Sequence, residues 1–345
     1  MTITPTVPAP PPRTTKQTRS GLVGIGFGLV LMVVIFVTRV LSPSSTADEL
    51  PNVARDFLTL SISVVVESIP FVFLGIILSI VVQIWLPDSL MQRALPRRPV
   101  LRRAVMSLLG VLLPVCECGN VPLTRGMMVK GLTVAESMTF LLAAPILNPV
   151  TIITTYQAFG WENGILAARI IGGFLIANLV GWLFSRHPRP EQLLTVRFEA
   201  SCRVGHDHTA HTPRIRRSVA AFSKEASAML PALFIGSAIA GLIQVGVSRD
   251  VLITLGSNPV WSVLALMGLA FVIAICSNVD AFFILSFGST FMPGAIVAFL
   301  VFGAMVDVKM LALLRTTFTT ATLARLTAVV GLAALTLGLA VNLVA

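Results

Sequence analysis

The chain has 345 residues, of which 55% are hydrophobic and only 12% charged, about half the charged share of an ordinary globular domain. That composition excludes the soluble globular class and points to a membrane protein. The net charge of +10 is no argument for nucleic acid, because Lys and Arg stand in short segments flanking apolar runs, the pattern by which a bilayer orients helices.

In chain order, residues 1–20 (MTITPTVPAPPPRTTKQTRS) are rich in Pro and Thr without apolar periodicity. Such a segment buries too little surface to offset its ordering entropy, so a disordered cytoplasmic tail is expected. Residues 21–42 read as an extra N-terminal transmembrane helix. Arg13, Lys16 and Arg19 before an apolar run, and Ser45-Thr46-Ala47 after it, mimic a cleavable signal peptide, but the run exceeds the ~7–15 residues of such a segment. Further apolar runs at 61–86, 164–184, 220–247 and 326–345 meet the ~20 residues that a crossing needs.

Basic residues gather in the tail, in 87–103 and in 186–217, the last with seven arginines. Placing all three inside fixes a parity. An even number of crossings must join the second and third, yet three apolar segments lie between them, at 102–129, 132–159 and 164–184. The first is interrupted by Pro114, Gly119 and Pro122, and proline inside a helix removes a hydrogen bond and clashes with the preceding turn. It is therefore expected to enter from the cytoplasm, turn at 116–120 and leave on the same side.

The order of landmarks then repeats. Pro70, Gly75 and Gln83 are echoed by Pro231, Gly236 and Gln244; Cys116 by Cys276; Asn148 by Asp307; Arg169 by Arg325. The offset drifts only from 161 to 156, which argues for internal duplication. The expected architecture is all-α and polytopic: a first transmembrane repeat at 55–185, a cytoplasmic loop at 186–218, and a second repeat at 219–345 in inverted orientation. Each repeat contains a broken re-entrant hairpin, and full crossings number seven.

Inverted repeats with interrupted helices are the architecture of secondary transporters, with the site at the midplane. Its candidate substrate-binding residues are Cys116, Cys118, Cys276, Asn120, Asn148 and Asn278. Thiolates are soft ligands that suit soft metals and metalloids, although free cysteines also merely pack. The four cysteines show no paired framework, so thiols are expected. Asn120 and Asn278 serve equally well as helix caps. The carboxyls of Glu117, Asp280, Asp307 and Glu67 sit at membrane depth, where acids are functional more often than not; they are candidates for proton coupling. For Asp307 an ion pair with Lys309, Arg169 or Arg325 is the alternative. In the basic loop, His206, His208 and His211 have a spacing that suits Zn or Cu, though polar loops carry such runs without function.

The stretches PVCECGNVPLTRGMMVKG, FLLAAPILNP, CSNVDAFF and FLVFGAMVDVK resemble the ArsP/YraQ-type predicted permeases, a group that includes efflux proteins for trivalent organoarsenicals. The resemblance spans about 55–345. It implies a permease exporting a small soft or thiol-reactive solute across the plasma membrane, with the proton gradient as driver. Between the two cysteines that family carries Ser or another small residue, where this chain has Glu117.

Neither a phosphate-binding Gly-Lys-Ser/Thr loop nor a His-Glu-x-x-His or Gly-x-Ser-x-Gly motif occurs, so no ATPase or hydrolase is expected. No cofactor is implied. The expected partners are a small-molecule or metalloid substrate and the lipid bilayer, with no nucleic acid; a homo-oligomer is compatible with all of this. The rival classes are a membrane thiol redox protein and an accessory subunit of a membrane complex.

Overall fold

The computed structural model describes residues 52–87, 95–113, 115–205, 213–246, 259–288 and 291–344. Contacts divide the chain into Met1–Thr46 and Ala47–Ala345, and every described residue lies in the second unit. The tail, the whole of the extra helix expected at 21–42, and the histidines His206, His208 and His211 thus lie outside the described residues.

No strand forms among the described residues; Leu194 and Phe318 make an isolated bridge. In the first half, α1 (Asn52–Ile80) continues into a π-helical turn (Val81–Trp85), followed by α2 (Pro99–Leu112), α3 (Glu117–Val129), α4 (Val134–Leu147), α5 (Pro149–Phe159) and α6 (Ile165–Ser185). A short α7 (Val196–Gly205) sits in the connecting segment. The second half contains α8 (Arg214–Gly246), α9 (Pro259–Ile273), α10 (Asp280–Leu285), α11 (Pro293–Met305), α12 (Val308–Leu314) and α13 (Thr320–Val344). Taken together, this is an all-α polytopic membrane protein. Six stretches among the described residues are long and apolar enough to cross a membrane: α1 with its π turn, α4 with α5, α6, α8, α11 with α12, and α13.

Local chemistry sets the ends of these elements. Pro99 opens α2 and Pro149 opens α5, the position where a missing N–H is harmless. Thr133 and Glu136 form a reciprocal capping box on α4, and Arg102 holds the same glutamate at 2.7 Å. Between α3 and α4 the chain turns through Gly131 at φ 101°, a conformation that L side chains resist. The two long central spans are both interrupted. Asn148 caps α5 by accepting from Val150 N at 2.9 Å, and Asp307 caps α12 by accepting from Met310 N. Asn148 and Asp307 thus each cap the second part of an interrupted span.

α4 is buried along its whole length, as a helix hydrophobic on all sides must be. It packs on α2 and α6, while α11 packs on α9 and α13. α1 lies against α8 and α3. The last contact is backbone to backbone: a Cβ on Gly75 would stand 2.1 Å from Gly119 O. Small residues permit such approach where lipid offers no hydrophobic drive between helices. Gly119 is therefore a packing residue inside α3, not part of an unwound turn. α2 ends at Leu112 and α3 begins at Glu117, ahead of the turn expected at 116–120, because Cys116 O already accepts from Gly119 N and Asn120 N at 3.1 Å and starts the helix there.

Candidate functional site

The two breaks have the same local construction. Cys276 O accepts from Val279 N at 3.0 Å and Asp280 N at 3.1 Å, so in each half a cysteine carbonyl opens the helix that follows. Ahead of Cys276, Ala274 adopts φ 52°, a strained value for a residue with a Cβ. Unwound backbone in hydrocarbon must find partners within the protein, and both breaks do. Val115 O accepts from Asn120 Nδ2 and Asn148 Nδ2, each at 3.3 Å. Across the molecule, Gln244 Nε2 donates to Ile273 O at 3.0 Å and Val272 O at 3.4 Å.

The breaks meet at Glu117, which is 0% exposed. Its Oε2 accepts from Ser277 Oγ at 3.1 Å and Ser277 N at 3.4 Å, with Cys276 Sγ at 3.8 Å. Its Oε1 accepts from Lys309 Nζ at 3.3 Å, with Cys118 Sγ at 4.0 Å. Cys118 Sγ also lies 3.6 Å from Ser68 Oγ of α1, and the Cys116 thiol contacts those of Cys118 and Cys276. Glu117 and Ser277 each follow the cysteine of their own half, and they touch. The structure therefore gathers Cys116, Cys118 and Cys276, all free and buried, around one carboxylate and one ammonium.

A second buried pair crosses between the halves. Arg169 of α6 donates to Asp280 Oδ1 at 3.0 Å and to Asp280 Oδ2, and its Nη1 also reaches Thr155 Oγ1 at 2.7 Å. Lys309 and Arg169 are both only 1% exposed. The bases expected near Asp307 thus serve other acids: Lys309 takes Glu117, Arg169 takes Asp280, and Arg325 is exposed. Asp307 is committed to its cap, and its second oxygen, Oδ2, is buried with no hydrogen-bond partner.

Asn278 and Asn120 are not helix caps; Val279 and Cys116 hold the capping positions without a side-chain bond. Asn278 Oδ1 instead accepts from Thr151 Oγ1 at 3.2 Å and Asn148 Nδ2 at 3.5 Å, which ties the second break to the kink between α4 and α5. Glu67 is exposed and borders the buried cluster, in the wall of a cavity of about 360 Å³ shared with Leu60, Val64, Gln244, Phe283 and Phe287. That wall includes Ala274 and Ile275, the residues just before Cys276, and Glu67 faces the Cys276 amide.

Beside α7, in the basic connecting segment, lies a further buried cluster. Arg125 pairs with Glu225 at 2.8 Å, donates to Thr316 O at 3.1 Å and Thr317 Oγ1 at 2.9 Å, and lies 4.3 Å over the Phe198 ring. Sequence reasoning missed Lys309 as the partner of Glu117, and missed Ser277, Thr155 and the Arg125–Glu225 pair entirely. The available signal was a lone base in an apolar helix, which demands a partner.

Comparison with known proteins adds the following. The ArsP_1 family, described as a predicted permease, matches residues 53–343. The UPF0718 protein YcgR of Bacillus subtilis (strain 168) is 37% identical over 262 residues, covering 74% of this chain and 87% of that protein. A protein of Streptococcus mutans serotype c, whose name proposes a subunit of a two-component membrane permease complex, is 30% identical over 280 residues, covering 79% of this chain and 90% of its own. The UPF0718 protein YraQ of Escherichia coli K12 is 28% identical over 119 residues, 34% of this chain and 33% of its own. No solved structure matches.

Proposed function

The chain belongs to the ArsP_1 family of predicted permeases, and from that premise we propose that it exports a small, thiol-reactive solute by alternating access between two inverted repeats. It is a multi-pass protein of the cell membrane. The observation that carries the proposal is the meeting of the two breaks: three thiols, a carboxylate and an ammonium, contributed by both halves, form one buried cluster around Glu117. Charged groups at membrane depth are costly even when paired, and where they occur they commonly line substrate or ion pathways. The contact between Glu117 and Ser277, equivalent positions in the two halves, is what a two-fold axis through the site would produce.

The cavity beside Glu67 is bounded by the N-terminal half of α1 and the C-terminal end of α8, the side away from the basic loops. The Arg125–Glu225 cluster fills the opposite side. On this reading the carrier is open outward and latched inward. Proton coupling would run through Glu67, whose place on the cavity wall makes it the acid of the four in reach of the outer solution.

The test is flux in vesicles containing this chain alone, with trivalent methylated arsenicals as first substrates and a pH gradient as driver. Transport that disappears in Cys116→Ser and Cys118→Ser, with both variants still in the membrane, is expected; unchanged flux in both sinks the thiol site. A second reading, as one subunit of a complex, is favoured by the name of the Streptococcus mutans relative. Flux by the isolated chain excludes it.

A further inference from the structure

The donor set at the meeting of the breaks names a class of cargo more closely than its thiols alone do. We propose that the pocket takes a bare, soft divalent cation of the closed-shell kind, Zn²⁺ or Cd²⁺, ligated by Cys116, Cys118, Cys276 and Glu117. The proposal rests on the permease reading and deepens it by naming the solute.

Geometry is the first argument. One donor atom from each of Cys116, Glu117 and Cys118 lies within 4.8 Å of the others, and all three residues are buried. Cys276 Sγ joins them at 3.8 Å from Glu117 Oε2 and in contact with the Cys116 thiol. A tetrahedral ion with metal–sulfur bonds of about 2.3 Å places its donors about 3.8 Å apart. The Cys116, Glu117 and Cys118 donors are therefore within about 1 Å of that spacing, and Cys276, outside this close trio, must turn its thiol inward to complete the set.

Donor count is the second argument. A trivalent metalloid that carries one carbon has two exchangeable valences, which two thiols satisfy; Cys276 and Glu117 would then have no task. Three sulfurs and one oxygen instead match a four-coordinate ion. Soft thiolates exclude Mg²⁺ and Ca²⁺, which demand all-oxygen shells.

Charge is the third. Three thiolates and a carboxylate around a divalent ion leave a formal surplus of about two negative charges, an unfavourable state in a dry interior. The Lys309 ammonium, 3.3 Å from Glu117 Oε1, offsets one of them. Ser277 and Lys309 also orient the Glu117 carboxylate, as partners behind a metal ligand commonly do. On ligation each thiol yields its proton to the buffer as its bond to the metal forms, so no oxidant or reductant is required.

The experiment uses the full chain, purified in detergent and reduced, titrated with CdCl₂ while the ultraviolet thiolate-to-cadmium charge-transfer band is recorded. A saturable band with the intensity of three thiolates is expected. Cys276→Ser should retain two thiolates' worth of intensity and bind at least about tenfold more weakly; Cys202→Ser should change nothing. Absence of a saturable band in the folded wild-type protein, or a band lost with Cys202, overturns the inference. Should a Cys276 variant fail to fold, Glu117→Gln is the substitute: it keeps the thiolate band and lowers affinity. Flux of Cd²⁺ in vesicles reads the permease function separately. Binding without flux leaves the metal site standing and removes the carrier, whereas arsenical flux without cadmium binding does the reverse.

Discussion

Replacing Gly75 with Ala tests how closely α1 sets the position of the thiols. The new Cβ would lie 2.1 Å from Gly119 O and 2.7 Å from Gly119 C and Cα. Ordinary contact begins at 3.4 Å, so the deficit at the oxygen is about 1.3 Å. The obstruction is backbone on both sides, and no side chain can rotate out of the way. α3 must therefore slide or tilt by about 1 Å relative to α1, carrying Cys116, Glu117 and Cys118 with it. Overpacking of this kind costs about 1–3 kcal/mol, offset by about 1 kcal/mol of helix propensity gained by Ala over Gly. Stability should thus fall modestly. Function should suffer more, because a displacement of about 1 Å in a preorganised site brings losses of tenfold or greater. The assay pairs the thermal midpoint in detergent with vesicle flux. Gly268→Ala is the control, since nothing lies within 4 Å of its Cβ position; it should match wild type. Full flux in Gly75→Ala would refute the claim that the α1–α3 backbone contact holds the site in register.

Removing one member of the Arg169–Asp280 pair, by Arg169→Met or Asp280→Asn, should destabilise the protein by about 3–5 kcal/mol, whereas Arg169→Met with Asp280→Leu should recover most of that loss; thermal unfolding of the three variants decides it. Glu225→Gln leaves Arg125 without its buried anionic partner and should open the basic-loop side, seen as faster labelling of cysteines placed there. Cys202, in the connecting segment, has its thiol pushed above the usual range by burial, against the pull of Arg125 and Lys224. The sign follows directly: the protonated form dominates further up the pH scale. Its maleimide labelling should be slower than that of free cysteine at neutral pH and should still be rising where free cysteine levels off. A plateau at the free-cysteine position would contradict the burial.

Much of the architecture was legible because its signals are local. The prolines in one apolar run pointed to an interruption near the first break, although Gly119 and Pro122 themselves lie inside α3. The steady offset between Cys116 and Cys276 linked the halves. What escaped is the pairing. For Asp307 the sequence leaves proton coupling and an ion pair with Lys309, Arg169 or Arg325 side by side; yet Lys309 reaches Glu117, 192 residues away, and Arg169 reaches Asp280, 111 away. Which acid meets which base depends on how helices cross, and no local pattern encodes that. Asp307 was diverted by a nearer demand, the open amide of Met310 at the start of α12. Gly119 was misread for a similar reason. A glycine beside prolines suggests an unwound turn, while its actual task, admitting α1, is visible only once α1 is in place.

The two interior ion pairs have a consequence for biogenesis. Each draws its acid from the break of one half and its base from the other half, so each half holds one acid and one base whose partners lie in the other half. While the ribosome is still making the second half, Glu117 and Arg169 sit in the nascent protein with their counterions unmade, in an environment that penalises bare charge. The first half must wait, in the translocon or at its edge, for Asp280 and Lys309 to emerge. Gene fragments that encode the halves separately should accumulate only when expressed together, and a first half that is stable alone would show that the crossing of charges does not govern assembly.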